Sequence, residues 1–263
     1  TFDQEISNPE ALAVRLSDRH FGIGGDGIIL VCPSKVADAK MKMYNLDGSE
    51  GKMCGNGIRC VGKFLYDHGM VDINEKDEIT IETLSGIKKL KAYTSGGKVN
   101  RLRVDMGKAI LDPKEIPVVL DGDKVVDRPV EIAGKNYNIT CVSMGNPHCV
   151  VFMDDIDNLD IETVGPEFEN DKLFPERVNT EFVTVLDDHT IKMRVWERGS
   201  GETWACGTGA CAVAVAACEN GFCKKGEDIK IKLKGGDLII NYTDETVYMT
   251  GNAEKVFEGE VEV

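Results

Sequence analysis

No segment of this 263-residue sequence approaches the roughly 18 consecutive apolar residues that a helical membrane span requires. Positive charge is also short: 31 Lys and Arg stand against 45 Asp and Glu, a formal net charge of −14. The first absence excludes a helical membrane protein. The second argues against nucleic acid and membrane surfaces as partners, because the summed field repels both. An anionic ligand would have to be attracted by local groups. Among nine cysteines there is no C-x-x-C pair, so spacing points to neither a zinc site nor a disulfide framework. Their odd number and wide spread fit a reducing cytoplasm, the expected location. No P-loop, zinc-binding helix or Ser-His-Asp pattern is present, and no metal or other cofactor is expected. The run Gly22-Ile23-Gly24-Gly25-Asp26-Gly27 lacks the G-x-G-x-x-G spacing and leads into a strand, which argues against a nucleotide loop.

What the sequence does contain is one phrase written twice. Met53-Cys54-Gly55-Asn56-Gly57 and Ala205-Cys206-Gly207-Thr208-Gly209 each combine a cysteine, a glycine, a short polar residue and a second glycine. The two cysteines lie 206 − 54 = 152 residues apart, and Gly48-Ser49-Glu50 before the first is echoed by Gly199-Ser200-Gly201-Glu202 before the second. Two copies are too few for a solenoid and predict two related halves of ordinary domain size. These are residues 1–108, joined by a returning strand at 253–263, and residues 109–252. An apolar stretch of helical length follows each phrase, which places each cysteine where a tight turn opens into a helix. There, free backbone N–H groups and the positive end of the helix dipole favour thiolate over thiol, and thiol pKa values fall below the usual value of about 8.5. Cys32, Cys60, Cys141, Cys149, Cys211, Cys218 and Cys223 read instead as small packing residues.

Asn8-Pro9-Glu10 supplies an N-cap, a proline at the first helical position and an acid in the first turn, predicting a helix to about Asp18. Alternation at residues 40–45, Ile79/Ile81, Leu102/Val104/Met106, Ile191/Met193/Val195, Ile229/Ile231/Leu233, Leu238/Ile240/Tyr242 and Val247/Met249 predicts strands throughout, as does the apolar run 28–31. One polar face per strand and short turns such as Asp121-Gly122 and Gly235-Gly236 indicate mostly antiparallel sheet. Against this background Ile58, Val61, Phe64 and Leu65 mark a helical stripe, and residues 210–218 are apolar all round and must be buried. The predicted class is α+β: two pseudo-symmetric half-domains, each a mostly antiparallel curled sheet around a central helix, with the active site in the cleft between them.

Two activated thiols facing one stereocentre suit a two-base inversion. A thiolate on one face takes a proton while a thiol on the other delivers one, and the roles swap in reverse. The carbon acid is weak, so backbone N–H groups of residues 55–57 and 207–209 would hold a carboxylate acquiring enolate character. The combination of Asp47-Gly48-Ser49 and Cys54-Gly55-Asn56-Gly57 with Ser143-Met144-Gly145-Asn146-Pro147-His148-Cys149, Glu197-Arg198-Gly199 and Cys206-Gly207-Thr208-Gly209 closely resembles the diaminopimelate epimerase family, over nearly the whole sequence. The resemblance implies a cofactor-independent isomerase that interconverts LL- and meso-2,6-diaminopimelate, a precursor of lysine and bacterial cell wall, with Cys54 and Cys206 as catalytic bases. It implies substrate contacts from Asn45, Gly55, Asn56, Asn146, Asn179, Glu197, Arg198, Gly207 and Thr208, with His148 in support. The chemistry suits the ligand: an arginine fork matches a distal carboxylate, and asparagine carbonyls accept from an ammonium. Alone, each asparagine would read as a turn or cap residue. Asn146 leaves that class by its place in the 143–149 phrase, whereas Asn179 rests on the shorter Glu176-Arg177-Val178-Asn179. His20, His68 and His189 read as structural. The partners expected are the diamino dicarboxylate substrate and, at most, a second copy of the chain as a homodimer.

Two departures from the family pattern stand out. The pattern has a strand with a His-Gly-x-Gly-Asn-Asp segment ahead of the position that is Thr1 here. Its asparagine takes part in the substrate site, and without that strand the first sheet would leave buried groups unpaired. At Gly27 some relatives carry a glutamine near the substrate, and its loss is expected to matter modestly. A proline racemase or hydroxyproline epimerase, which also uses two cysteines, is the runner-up. It fits less well because Asn56 rather than histidine follows the first Cys-Gly pair and because Arg198 suggests a second carboxylate. A catalytically silent binding or thiol-redox protein of the same fold is the other alternative, and it would exchange no substrate α-proton. A reversible Cys54–Cys206 disulfide is a further expectation.

Overall fold

The computed structural model describes residues 6–73 and 78–262. The chain divides into two compact units, residues 1–104 with 251–263, and residues 105–250. The first contains α1 (Pro9–Ser17), β1 (Gly27–Cys32), β2 (Ala39–Asn45), β3 (Glu50–Gly51), α2 (Gly55–Asp67), β4 (Ile79–Thr83), β5 (Gly86–Ser95) and β6 (Lys98–Asp105). Its strands run in the order β1-β2-β4-β5-β6, with β3 paired to β2. All these pairings are antiparallel except β2–β4, which the α2 crossover connects, as a parallel pair requires. Helix α1 starts as the sequence predicts, the Asn8 side chain accepting from Ala11 N at 3.0 Å with Pro9 at the first helical position. Helix α2 buries Ile58, Val61 and Leu65. At Gly62 it comes so close to the sheet that a Cβ would lie 2.5 Å from Leu102 Cδ2 and 2.9 Å from Leu90 Cδ2.

The second unit contains β7 (Arg128–Ile132), β8 (Lys135–Ser143), β9 (Pro147–Phe152), α3 (Ile161–Glu169), β10 (Asn179–Asp187), β11 (Thr190–Glu197), β12 (Gly201–Thr203), α4 (Gly207–Glu219), β13 (Asp228–Leu233) and β14 (Gly236–Tyr242), and most of β15 (Val247–Asn252). The strand order is β15-β14-β13-β11-β10-β9-β8-β7, with β12 paired to β11. Only β9–β10 and β11–β13 are parallel. Helix α4 packs against β8, β9, β10, β13 and β14, and every residue from Gly209 to Ala217 is buried. A helix with no polar face can be stable only when surrounded in this way. Burying Val213 and Val215 alone is worth about 1.5–3 kcal/mol each relative to exposure.

The succession helix-strand-strand-strand-helix-strand-strand-strand occurs twice, from α1 to β6 and from α3 to β15. Register repeats with it. Ile29 opposes Met43 and Met43 opposes Gly51 in the first unit; Glu181 opposes Val195 and Val195 opposes Thr203, each 152 residues on, in the second. The class is α+β, as expected.

Four details differ from the sequence reading. Residues 253–262, expected as part of a strand, carry no strand pairing; Glu254, Glu258, Glu260, Glu262 and Gly259 make a poor strand. Asp121-Gly122 is no hairpin turn, but lies in the irregular stretch between β6 and β7. Phe64, placed on the buried stripe of α2, is 39% exposed and stacks on His68. Cys60, read as a packing residue, is exposed. Among the described residues no helix is long and apolar enough to cross a membrane.

Candidate active site

In the first unit Cys54 is the N-cap of α2, with extended backbone at φ −130° and ψ 119°. Its carbonyl accepts the first intrahelical bond from Ile58 N at 2.9 Å, and its Sγ accepts from Gly57 N at 3.3 Å. Sulfur thus takes the place that a serine or aspartate oxygen usually fills. The N–H groups of Gly55 and Asn56 precede the first intrahelical bond and face the helix start. A Cβ on Gly57 would stand 2.3 Å from Ile29 Cδ1. Arg59, only 7% exposed, donates to Gly55 O at 2.9 Å, Asn56 Oδ1 at 3.1 Å and Asn252 O at 3.2 Å. A buried cation therefore holds the first turn of α2 from within. At the end of β2, Asn45 Nδ2 donates to Ser49 Oγ at 3.0 Å, and the Ser49 hydroxyl donates to Asp47 Oδ1 at 2.6 Å. The Ser49 hydroxyl and N–H hold the Asp47 carboxyl below its usual range.

In the second unit Cys206 caps α4 in the same manner, at φ −121° and ψ 110°. Ala210 N donates to its carbonyl at 2.9 Å, Gly209 N donates to Sγ at 3.4 Å, and Thr208 Oγ1 lies 3.5 Å from Sγ. The surroundings differ. Cys206 is 5% exposed, and burial, then the Glu197 and Glu181 carboxylates, push its thiol well above the usual range, against the Thr208 hydroxyl and the Gly209 N–H. The expectation of a lowered thiol pKa is therefore reversed here. The helix start acts in the expected direction, but desolvation and two acidic neighbours outweigh it.

Glu181 and His148, both fully buried, meet at 2.7 Å through Oε1 and Nδ1. His148 Nε2 lies 3.1 Å from Asn146 Oδ1, and Asn146 Nδ2 donates to Thr208 Oγ1 at 3.3 Å. Glu197 accepts from the Thr203 hydroxyl. Asn179 uses both ends of its amide on backbone, donating to Pro147 O at 2.9 Å and accepting from Arg198 N at 3.0 Å. The Arg198 guanidinium donates to Glu176 O at 2.8 Å.

Of the predicted site residues, Asn45, Cys54, Gly55 and Asn56 lie in the first unit. Asn146, His148, Asn179, Glu197, Arg198, Cys206, Gly207 and Thr208 lie in the second. Three further residues escaped the sequence reading: Arg59, Glu181 and Glu169. Glu169 accepts from Gly199 N at 2.9 Å, Arg177 Nη1 at 3.0 Å and Trp196 Nε1 at 2.7 Å, fixing the turn that carries Arg198. The available signal for Glu181 was its position, 152 residues after Ile29, in a strand where a carboxylate replaces an apolar residue.

The diaminopimelate epimerase family profile matches residues 1–111 and 140–256. A protein named diaminopimelate epimerase from Acetivibrio thermocellus is 53% identical over 264 residues, spanning 100% of this chain and 92% of that protein. One so named from Agathobacter rectalis is 51% identical over 271 residues, spanning 100% and 93%. Among solved structures, a probable proline racemase from Agrobacterium radiobacter K84 matches with a TM-score of 0.68 over 92% of this chain and 78% of that one, at 17% identity, which concerns the fold alone. The chain belongs to the diaminopimelate epimerase family.

Proposed function

We propose that this chain interconverts LL- and meso-2,6-diaminopimelate without a cofactor, using Cys54 and Cys206 as bases toward opposite faces of one α-carbon. The observation that carries the reading is the pair of N-cap sulfurs, each accepting from the third N–H of its helix, on a duplicated framework. One sulfur, as thiolate, removes the α-proton and becomes S–H, leaving the electron pair on the α-carbon and its carboxylate. The other, as thiol, gives its proton to the opposite face and is left as thiolate. In reverse the roles exchange. The N–H groups of Gly55, Asn56, Gly207 and Thr208 stabilise the developing charge, as unpaired donors at helix starts do.

Arg198 receives the distal carboxylate, while Asn45 and Asn146 receive the distal ammonium. Asn179 serves this end by holding the Arg198 turn, and Glu197 and His148 support the thiols. The odd number and wide spread of the nine cysteines support a cytoplasmic location. A proline racemase is disfavoured because relatives at 51% and 53% identity carry the diaminopimelate name, against 17% for the proline racemase. The test is incubation with LL- and meso-diaminopimelate in D₂O, with L-proline as competitor. Deuterium at the α-carbon together with the opposite epimer is expected. Absence of both, or exchange into proline instead, overturns the reading.

A further inference from the structure

Glu181 has no part in the steps above, yet its side chain is fully buried beneath the start of α4. Its Oε2 has no hydrogen-bond partner among the described residues. A Cβ on Gly209 would lie 2.5 Å from Glu181 Oε1 and 3.2 Å from Cys206 Sγ, so carboxyl and sulfur flank the same glycine. From Oε1, polar contacts run unbroken through His148, Asn146 and Thr208 to that sulfur.

The direction of donors along this path is set at its beginning. Asn146 can give its N–H to Thr208 only while its Oδ1 faces His148, and Oδ1 accepts only when Nε2 carries a hydrogen. Thr208, accepting from Asn146, then has its own hydroxyl hydrogen to give the sulfur. Nε2 keeps its hydrogen while the Glu181–His148 pair holds two protons, one of them between Oε1 and Nδ1. With one proton fewer, the carboxylate retains the remaining hydrogen at Nδ1 and Nε2 becomes an acceptor. The Asn146 amide then turns over, and Thr208 donates to Asn146 instead of to sulfur. The unpartnered Oε2 favours the proton-rich arrangement, because a buried carboxylate oxygen without a donor is costly. Burial likewise raises the Glu181 carboxyl above its usual range, against the pull of His148.

We propose that Glu181 is a positioning residue for the chemistry at Cys206: with His148 it orients the Asn146–Thr208 chain so that the Thr208 hydroxyl donates to the sulfur once the thiol has given up its proton. The proposal deepens the two-base reading and rests on it. The other titratable groups facing Glu181 are Cys149 on β9, Glu197 on β11 and Cys206 itself.

The test measures how fast methyl methanethiosulfonate modifies Cys206 and Cys54, peptide by peptide, across pH in substrate-free full-length protein. Thr208→Val is expected to slow Cys206 roughly 5- to 10-fold, the scale of one ordinary intramolecular hydrogen bond. Glu181→Leu should change the Cys206 rate only while Thr208 is present, so that the double variant matches Thr208→Val alone because both act through one path, and Cys54 should stay within about twofold. Glu181→Gln is near-isosteric and can fold where Glu181→Leu does not. Its amide can donate to Nδ1 and keep the hydrogen on Nε2, so its Cys206 rate should stay near the parent's and lose the inflection of the Glu181–His148 pair. Additive effects of Thr208→Val and Glu181→Leu would overturn the proposal. So would an equal change at Cys54, or a loss in Glu181→Gln as large as that of Thr208→Val. Modification needs no turnover, whereas the two-base reading stands or falls on α-proton exchange, so the two failures are distinguishable.

Discussion

The first turns of α2 and α4 have the same backbone and opposite electrostatics. Each begins with a cysteine N-cap whose sulfur accepts from a glycine N–H three residues on, and each follows a pair of strands in identical register. Yet where the first unit has Ile29 against its glycine, the second has Glu181. Where the first buries Arg59, the second has Cys211, and where β2 ends on Asn45, β11 ends on Glu197. A cation grips the start of α2, while two carboxyl groups face the sulfur at the start of α4. Repetition supplies two equivalent seats for a thiol, and the side chains behind them make the seats chemically unequal.

The largest effect should come from removing either sulfur. Cys54→Ala and Cys206→Ala should each lower epimerisation by roughly 10³-fold or more, in the range of a lost general acid or base. Near-normal turnover in either variant, followed by α-proton exchange in D₂O, would break the pairing altogether. Next come the glycines, where the comparison can be drawn most sharply. In Gly209→Ala the new methyl meets a buried carboxylate oxygen at 2.5 Å, which has nowhere to go; in Gly57→Ala it meets the terminal Cδ1 of Ile29 at 2.3 Å, which can rotate. Overpacking should cost Gly209→Ala about 1–3 kcal/mol and Gly57→Ala distinctly less, read as urea midpoints. Equal losses would mean that Glu181 is no more constrained than Ile29.

Arg59→Met removes the hydrogen bonds donated to Asn56 Oδ1 and Asn252 O and leaves the buried Gly55 O with a partner lost. A cost of about 1–3 kcal/mol is expected, with a raised KM because Asn56 loses its anchor. A variant of parental stability and KM would show that the cation is incidental to the first turn.

Much of this was legible in the residues. The two caps, the buried character of α4 and the strands with one polar face each left a local mark, since period-two and all-apolar patterns report burial directly. The segments that left none have a common cause. In β9 and at the ends of β8 and β10, both faces are buried, so Cys141, Val142, His148, Cys149 and Val150 show no alternation to detect. Helix α3 is only nine residues long and contains Gly165 and Pro166. Gly165 lets the Trp196 ring approach to within 2.3 Å of where a Cβ would be, a reason visible only in three dimensions. Arg59 and Glu181 were hidden for a similar reason: a charged residue on a helix or strand reads as solvent-facing until its burial is seen.

The smallest expected effect concerns stability against pH, and its sign follows from Glu181. Burial raises its folded-state pKa above the ordinary glutamate value of 4.5. Above that pH the unfolded chain releases a proton that the folded chain retains, so the unfolded state binds fewer protons and stability falls as pH rises toward the folded value. Glu181→Gln has no such proton to lose. Its urea midpoint relative to the parent should therefore climb as pH increases above 4.5, while the same comparison for Ile29→Leu in the first unit stays flat. A Glu181→Gln difference that is constant with pH, or that declines, would mean that Glu181 stays ionised, so that its charge, rather than its proton, sits beneath the start of α4.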